Sequence, residues 1–370
     1  MRLKANNGSR ALATSVAFQR KCGTLIVVGV CLLLAAINVE AQTPSVTPAA
    51  PVASGAAQPA SAPNSAPATQ DNGATGMPQA QPSDQASADG QDTVFVFKKE
   101  VQEVALHATV VDEQRHLVTN LNRSAFTVYE DGLRQATTSF HRDDVPVAMG
   151  IVIDNSGSMR EKRDKVNQAV LNLIRASNPN DEIFVVNFSQ DSYLDQDFTS
   201  DINLLQQALQ KVSAQGSTAL YDAIVASSVH LKNNTRVDRK VLLVITDGRD
   251  NASQETLQEA TRRLQQQNGP TLYAIGLLGD ELPQSETGAL QSLADSTGGV
   301  AFFPKNLDDV DGITRTVAHD IRSQYTIGYK STNPNQTGGY RRIQVTAQAP
   351  GYRNLTVRTR SGYYPGEAVH

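Results

Sequence analysis

The stretch VAMGIVIDNSGSM, at positions 147–159, decides the fold of this chain. It opens with an uninterrupted run of apolar residues and one glycine, the composition of a strand buried on both faces of a sheet. It ends in a polar loop, after which Val166, Val170, Leu173 and Ile174 recur at helical spacing. A buried strand that leads through a polar loop into an amphipathic helix indicates an α/β unit.

The same alternation of strand and helix continues to about residue 321. Further buried strands are predicted over 183–188, 241–245, 272–278 and 300–303. Helices are predicted between them, and the last one spans 307–321. Ser253 is the expected N-cap of the helix that contains Leu257, Ala260 and Leu264. This pattern predicts an α/β domain over residues 146–322 with a doubly wound, mostly parallel sheet.

Strand patterns flank the α/β region on both sides. In the N-terminal flank, residues 93–145, apolar residues alternate over 104–110, Asp131-Gly132 marks a hairpin turn, and a return strand is expected over 136–140. In the C-terminal flank, residues 323–370, they alternate over three further segments, 325–329, 343–347 and 355–359. Each flank has only about 50 residues, which is small for an independent core. We therefore expect the two flanks to form one β-sandwich, with the α/β domain inserted between them.

Residues 1–41 have the three-part form of a secretory signal peptide. Basic residues precede an uncharged apolar run over 22–37, and small residues stand at Val39 and Ala41. An uncleaved membrane anchor is the alternative, although the run is shorter than the roughly 20 residues that a spanning helix needs. We expect an exported protein that is secreted, periplasmic or associated with the cell envelope.

Residues 42–92 are dominated by Pro, Ala, Ser, Gln and Thr. Such a segment cannot bury enough apolar area to offset the entropy of ordering, so a disordered linker is expected. It serves as a tether that holds the folded part away from a membrane or wall, or as a spacer with no selected role.

Composition argues against several classes of site. The chain has 33 Lys and Arg residues against 37 Asp and Glu, a net charge of −4, whereas a nucleic-acid-binding protein needs a basic face. Cys22 and Cys31 both lie near the N-terminus, so no disulfide framework or thiolate metal site is expected in the rest of the chain. No two histidines have the His-x-x-x-His spacing of a helical zinc site.

Polar oxygen-bearing residues follow two of the buried strands and begin one helix. Asp154, Ser156 and Ser158 alternate in the loop after the first strand, Thr218 begins a helix, and Asp247 follows the strand over 241–245. Ligands collect at the carboxyl ends of strands in open α/β sheets, so these pieces can converge. All the donor atoms are oxygens, which suit a hard divalent cation such as Mg²⁺ or Mn²⁺.

Each piece alone also has an ordinary explanation. Asp-x-Ser-x-Ser is common as a helix cap, Thr218 can be a cap as well, and Asp247-Gly248 is a frequent turn dipeptide. The combination of all three, each after the expected element, favours a metal site.

This constellation resembles the metal-ion-dependent adhesion site (MIDAS) of von Willebrand factor type A (VWA) domains. The family motif is Asp-x-Ser-x-Ser, then a Thr, then an Asp, and Asp154, Ser156, Ser158, Thr218 and Asp247 fill it. The resemblance implies that the three hydroxyls bind the metal directly and that the two carboxylates act largely through bound water.

The resemblance extends over about residues 147–321, and it implies a VWA or Rossmann-like fold. The flanks look like those of bacterial VWA-related proteins, with FTVYEDG at 126–132 and GYY at 362–364. Members of the family mostly bind proteins, through a partner carboxylate that fills an open position on the metal. The implied partner is therefore a protein with an exposed Asp or Glu, with contact to a membrane only through an uncleaved signal anchor.

Three further residues near the motif have two interpretations each. Asp222, four residues after Thr218, either holds the loop by hydrogen bonds or is an ordinary helix residue. Arg249 and Asp250 could line the rim of the site, where Arg249 could attract an acidic partner, or both could be ordinary surface residues.

An enzyme is the competing functional class. Ser156 lacks the Gly-x-Ser-x-Gly elbow of hydrolases, and a phosphatase with Asp154 as nucleophile would have a second Asp where Ser156 stands. The Gly-x-Gly-x-x-Gly of dinucleotide-binding enzymes is absent after the first strand. We expect a binding module that is not an enzyme; the alternatives are a metal-free structural scaffold and a hydrolase that uses Ser156 or Asp154.

Overall fold

The computed structural model describes residues 4–5, 103–142, 144–211, 214–277, 284–333 and 338–366. The expected signal peptide, except for residues 4–5, and the expected linker lie outside the described residues. None of the helices in these ranges combines the length and the hydrophobicity that a membrane span needs.

The strands, in chain order, are β1 Lys4–Ala5, β2 Glu103–Val111, β3 Phe126–Glu130, β4 Leu133–Gln135, β5 Thr137–His141, β6 Ala148–Asp154, β7 Glu182–Phe188, β8 Ser192–Thr199, β9 Lys240–Thr246, β10 Thr271–Gly276, β11 Ala301–Phe302, β12 Tyr325–Lys330, β13 Arg341–Ala347, β14 Thr356–Arg358 and β15 Gly362–Tyr363. The α-helices are α1 Arg163–Arg175, α2 Ile202–Gln210, α3 Leu220–Asn234, α4 Leu257–Leu264, α5 Gln284–Thr297 and α6 Val310–Arg322. Short 3₁₀ turns span Arg123–Ala125, Gly157–Met159 and Leu307–Asp309.

The α/β domain is built on a seven-stranded sheet in the order β1-β8-β7-β6-β9-β10-β11. All its neighbouring strands are parallel except β7 and β8. Helices α1, α2 and α6 pack on one face, and α3, α4 and α5 pack on the other. Since β6, β9 and β10 are buried on both faces, their sequences are apolar except at the strand ends. The predicted doubly wound, mostly parallel α/β sheet is confirmed.

The sequence patterns did not predict β8 and α2. A tight turn, in which Ser189 N–H donates to the Asp191 carbonyl at 3.0 Å, reverses the chain and makes β8 antiparallel to β7. Only Leu194 and Phe198 of β8 pack against the core, so the strand has a polar sequence. Strands towards the edge of a sheet are covered less completely, and their apolar signal is correspondingly weak.

The expected capping role of Ser253 is wrong. Helix α4 begins at Leu257, and Thr256 caps it in a reciprocal capping box with Glu259. The Ser253 hydroxyl instead donates to the Asp250 carboxylate at 2.5 Å. The Thr-x-x-Glu capping box three residues downstream, and not the single serine, therefore sets the start of the helix.

The two β-rich flanks form one sandwich of two four-stranded sheets, ordered β14-β2-β12-β5 and β15-β13-β3-β4. Each sheet combines strands from both flanks, and one hydrophobic core lies between them. Asp131 and Gly132 have φ of +51° and +81°, as the predicted hairpin turn requires. The return strand differs from the prediction over 136–140, because the chain makes β4 in one sheet and then crosses to the other sheet as β5.

A buried carboxylate ties the two flanks together inside the sandwich. Glu130 of the N-terminal flank accepts hydrogen bonds from the hydroxyls of Tyr329 at 2.5 Å and Tyr363 at 3.0 Å. Arg341 Nη1 lies 3.1 Å from the same carboxylate. All three partners belong to the C-terminal flank, so the network closes only when both flanks are present.

The sandwich contacts the α/β domain at the amino ends of the parallel strands. Arg239, directly before β9, donates to the Gln324 carbonyl and to Thr326 Oγ1 of β12 at 3.4 and 3.1 Å. Arg358 of β14 pairs with Asp320 of α6 at 2.7 Å. The carboxyl ends of the strands lie at the opposite edge of the sheet, so these contacts do not cover them.

Candidate functional site

Asp154 and Asp247 lie side by side at the carboxyl edge of the sheet. Asp154 is the last residue of β6, and Asp247 directly follows β9. The two strands are parallel neighbours, with Ile153 opposite Ile245. β7 and β9 lie on opposite sides of β6, so the strand order reverses at β6. A crevice forms at such a point, and ligands bind there in open α/β sheets.

Asp154 is completely buried, and both of its carboxylate oxygens accept hydrogen bonds. Ser156 N–H donates to Oδ1 at 2.7 Å, and the Thr246 hydroxyl donates to Oδ2 at 2.6 Å. Burial raises the pKa of the Asp154 carboxyl above its usual value, while the bonds from Thr246 and Ser156 oppose that rise. A nearby cation would favour the ionised form of this group.

A chain of hydroxyls links the β6 loop to Asp247. Ser156 Oγ lies 3.1 Å from Ser158 Oγ, and Ser158 Oγ donates to Asp247 Oδ1 at 2.8 Å. Ser156 is buried, whereas Ser158 is exposed to solvent. The network therefore runs from the interior of the sheet to the surface.

Thr218 reaches the same place from the loop before α3. Its N–H donates to Asn251 Oδ1 at 2.9 Å, and its carbonyl accepts the N–H of Asn251 at 3.0 Å. A Cβ atom placed on Gly248 would lie 3.2 Å from Thr218 Oγ1 and 3.7 Å from Asp154 Oδ2. Both oxygens thus border the space beside Gly248, and the structure brings all five residues of the predicted motif to one site.

The donor set suits a hard cation. Over the described ranges, no three His, Cys, Asp or Glu side chains converge in a way that could hold a metal ion. The side-chain oxygens at this edge of the sheet include the hydroxyls of Ser156, Ser158 and Thr218 and the carboxylates of Asp154 and Asp247. Oxygen-only donors are those that Mg²⁺ and Mn²⁺ prefer, so the residues fit the ion that the motif implies.

Two residues at the site were missed by the sequence analysis. Thr246 donates to Asp154. Its position at the end of a buried strand, directly before Asp247, could have identified it as a site residue. Lys162 Nζ lies 2.5 Å from Asp247 Oδ2 and 3.3 Å from the Leu277 carbonyl. A lysine eight residues after Asp154 carries no sequence signal for this contact, because its long side chain could reach many partners.

Asp222 and Asp250 hold the loop that leads into α4. Asp222 accepts the N–H groups of Gln254 and Glu255 at 3.1 and 2.9 Å, so the structure favours its loop-holding role over that of an ordinary helix residue. Asp250 accepts the N–H of Tyr221 at 3.0 Å, which ties the loop to the first turn of α3. Arg249 is exposed.

The hydroxyl of Ser156 has the hydroxyl of Ser158, and not an imidazole, as its hydrogen-bond partner. The described histidines belong to other parts of the fold: His107 and His141 to sandwich strands, His116 to the loop after β2, His230 to α3 and His319 to α6.

The family model of the von Willebrand factor type A domain matches residues 149–249. The match contains the β6 loop, Thr218 and Asp247, and it ends two residues after the last of them. The sequence matches none of the curated proteins with which it was compared.

Three solved structures are similar to this chain at low sequence identity. A von Willebrand factor type A protein from Catenulispora acidiphila is 14% identical over 72% of this chain and 75% of its own, with a TM-score of 0.42. The vWF domain of the type V pili tip protein Mfa5 from Porphyromonas gingivalis is 15% identical, covering 48% of this chain and 97% of its own, with a TM-score of 0.41. The PilB minor pilin from Streptococcus sanguinis is 14% identical, with a TM-score of 0.41; the match covers 50% of this chain and 63% of the pilin.

Proposed function

We propose that this chain is an exported protein-binding module whose VWA domain binds its partner through a divalent cation. The observation that carries the proposal is the meeting of three hydroxyls and two carboxylates at one point of the carboxyl edge. These groups come from three loops that are distant in sequence, and they provide only oxygen donors. Export rests on the signal-like sequence of residues 1–41.

The hydroxyls of Ser156, Ser158 and Thr218 would hold Mg²⁺ or Mn²⁺ directly. Both oxygens of Asp154 already accept bonds from protein groups, as do both oxygens of Asp247. This supports a role in which the two carboxylates orient the hydroxyls and act on the ion largely through water. When bound, the cation supplies a coordination position for an outside carboxylate oxygen.

The proposed partner is a protein with an exposed Asp or Glu side chain. Ser158, Gly157 and Gly216 are exposed, so a carboxylate on another protein can reach the Ser158 hydroxyl without opening the fold. We propose binding without catalysis, because the hydrogen-bond partner of the Ser156 hydroxyl is the hydroxyl of Ser158 and not an imidazole base.

A metal-free interaction module is a second candidate, and one contact favours it. The Lys162 ammonium lies 2.5 Å from the fully buried Asp247 side chain and neutralises its charge within the protein itself. In this alternative, the same loops would bind a partner through hydrogen bonds, with no chelator sensitivity.

A pull-down from envelope extracts of the source cells, with and without chelator, separates the two candidates. Metal-dependent binding predicts that captured proteins are lost on chelation, are restored by Mg²⁺, and are not captured by Asp154→Ala. Asp308→Ala is the matched control, since Asp308 is exposed and its contact is a surface pair with Lys165. Equal capture by the wild type with and without chelator would favour the metal-free module.

A further inference from the structure

The geometry points to Lys162 as a built-in cation that a divalent ion must displace from Asp247 in order to occupy the site. This inference rests on the proposed function, and it adds an internal competitor that sets the affinity of the site. The chain would then take up Mg²⁺ or Mn²⁺ only where the free ion is concentrated enough to win that competition.

Lys162 is held in place by main-chain and side-chain contacts. Its N–H donates to the Met159 carbonyl at 2.9 Å, and its own carbonyl accepts the N–H of Val166 at 3.1 Å. Its ammonium donates to Asp247 Oδ2 at 2.5 Å and to the Leu277 carbonyl at 3.3 Å. The side chain is 29% exposed, so water is available to the ammonium once it leaves the carboxylate.

The position of this charge is unfavourable for the helix that follows. Lys162 occupies the N-cap of α1, where the helix dipole favours negative charge and a cation costs stability. Its side chain also gives the N-cap no hydrogen bond. The contact with Asp247 is favourable, whereas the charge at the N-cap is not. The position of Lys162 is therefore better explained by its contact with the site than by a contribution to helix stability.

The neighbouring basic residues Arg160 and Arg163 have other hydrogen-bond partners. Arg160 donates to the Ala214 carbonyl and Arg163 to the Leu209 carbonyl, each at 3.3 Å, so both guanidinium groups contact main-chain oxygens. Only the Lys162 side chain, among these three, contacts the carboxylate that also accepts from Ser158.

The ammonium and a divalent ion cannot both lie against Asp247 at low cost. The two carboxylates of the site carry two negative charges, and one divalent ion balances them. With Lys162 also present, the positive charges would number three against two negative ones. Repulsion between cations a few ångströms apart is substantial in a partly buried site, because the effective dielectric constant there is below that of water. Removing the ammonium should therefore strengthen binding of the divalent ion.

Titration calorimetry with MgCl₂, together with thermal unfolding in chelator and in Mg²⁺, tests this inference on the full chain. In Lys162→Met we expect Mg²⁺ to bind about tenfold or more tightly than in the wild type, because the repulsion is gone. The variant should melt at a lower temperature in chelator, because Asp247 loses its counter-ion, and should gain more than the wild type from Mg²⁺. Lys162→Gln, which keeps a donor for the Leu277 carbonyl, serves as the second variant should the methionine variant fold poorly.

Lys165→Met is the matched control, because it removes the same charge three residues further along at an exposed pair with Asp308. If the wild type binds Mg²⁺ saturably and both Lys162 variants bind it no more tightly than the wild type, the inference is overturned and the proposed function stands. Binding in the Lys162 variants but not in the wild type supports the inference and limits the proposed function to conditions that displace Lys162. Absence of binding in folded wild type and in both folded variants overturns both.

Discussion

Ser158 Oγ donates a 2.8 Å hydrogen bond to Asp247 Oδ1, although the two residues are 89 positions apart in the chain. The contact forms because β6 and β9 are parallel neighbours whose carboxyl ends meet at one edge. Thr218 arrives from a third loop and borders the same space beside Gly248. The fold therefore explains why a motif scattered over the sequence becomes a single oxygen-lined site.

Thr218→Val replaces the hydroxyl by a methyl group of nearly the same size. We expect Mg²⁺ affinity to fall about tenfold or more, since one of the three hydroxyls proposed to hold the ion is lost. Thr218→Ser keeps the hydroxyl and should bind Mg²⁺ within a small factor of the wild type. Calorimetry on both variants checks this, and similar affinities for the two would remove Thr218 from the site.

Gly248→Ala places a methyl group 3.2 Å from Thr218 Oγ1 and 3.7 Å from Asp154 Oδ2. Because this methyl intrudes into the space that the donors border, we expect Mg²⁺ affinity to fall about tenfold while the far-ultraviolet circular dichroism is unchanged. Gly157→Ala is the control on the neighbouring loop, where a Cβ meets nothing within 4 Å. Equal metal binding in the two alanine variants would show that the space beside Gly248 is not used.

Glu130→Gln tests whether the flanks form one unit. The substitution leaves Arg341 buried without its carboxylate and weakens the bonds from Tyr329 and Tyr363. Breaking a buried pair by removal of one partner costs about 3–5 kcal/mol, so urea unfolding should show a loss of that size. Glu113→Gln, at an exposed contact with Asn354, should cost little. A near-neutral Glu130→Gln would mean that the buried network does not hold the sandwich together.

His107 should make stability depend on pH. Burial, followed by the charges of Arg239 and Arg360, lowers the pKa of His107 from 6.5 to about 3. As the pH falls below 6.5, the unfolded chain takes up a proton that the folded protein does not, so this contribution to stability is present above 6.5 and is lost towards about 3. The slope is at most about 1.4 kcal/mol per pH unit, and less where solvent reaches the ring.

Urea unfolding at several pH values measures this effect as the difference between wild type and His107→Gln. The wild type should lose stability relative to the variant as the pH falls from 6.5. His116→Gln, at an exposed position, should follow the wild type. Parallel profiles for wild type and His107→Gln would show that His107 titrates alike in the folded and unfolded states.

The sequence patterns were sufficient for the α/β class because β6, β9 and β10 are buried on both faces and their apolar runs are unbroken. They were insufficient for β8, since only Leu194 and Phe198 of that outer strand pack against the core. The pairing of the flanks was predictable from their small size, but the sheet exchange between β4 and β5 was not. Ala136 alone separates those two strands, and no composition signal marks it.

Within the site, the five motif residues could be placed together because they follow strand ends or begin a helix. The Lys162–Asp247 contact could not, because a lysine side chain has many rotamers and Asp247 is 85 positions away in the sequence. The role of Asp222 was open for a related reason. Its partners are the main-chain N–H groups of Gln254 and Glu255, whose positions depend on how the α4 loop folds.

We propose that one divalent cation is held jointly by Asp154, Ser156, Ser158, Thr218 and Asp247. Titration calorimetry of the full chain with MgCl₂, repeated with Asp154→Ala, tests it most directly. We predict saturable binding of one ion per chain in the wild type and none in Asp154→Ala, with both proteins giving the same far-ultraviolet spectrum. Unsaturable heats in the wild type and in both Lys162 variants, or equal saturable binding in the wild type and Asp154→Ala, would contradict it.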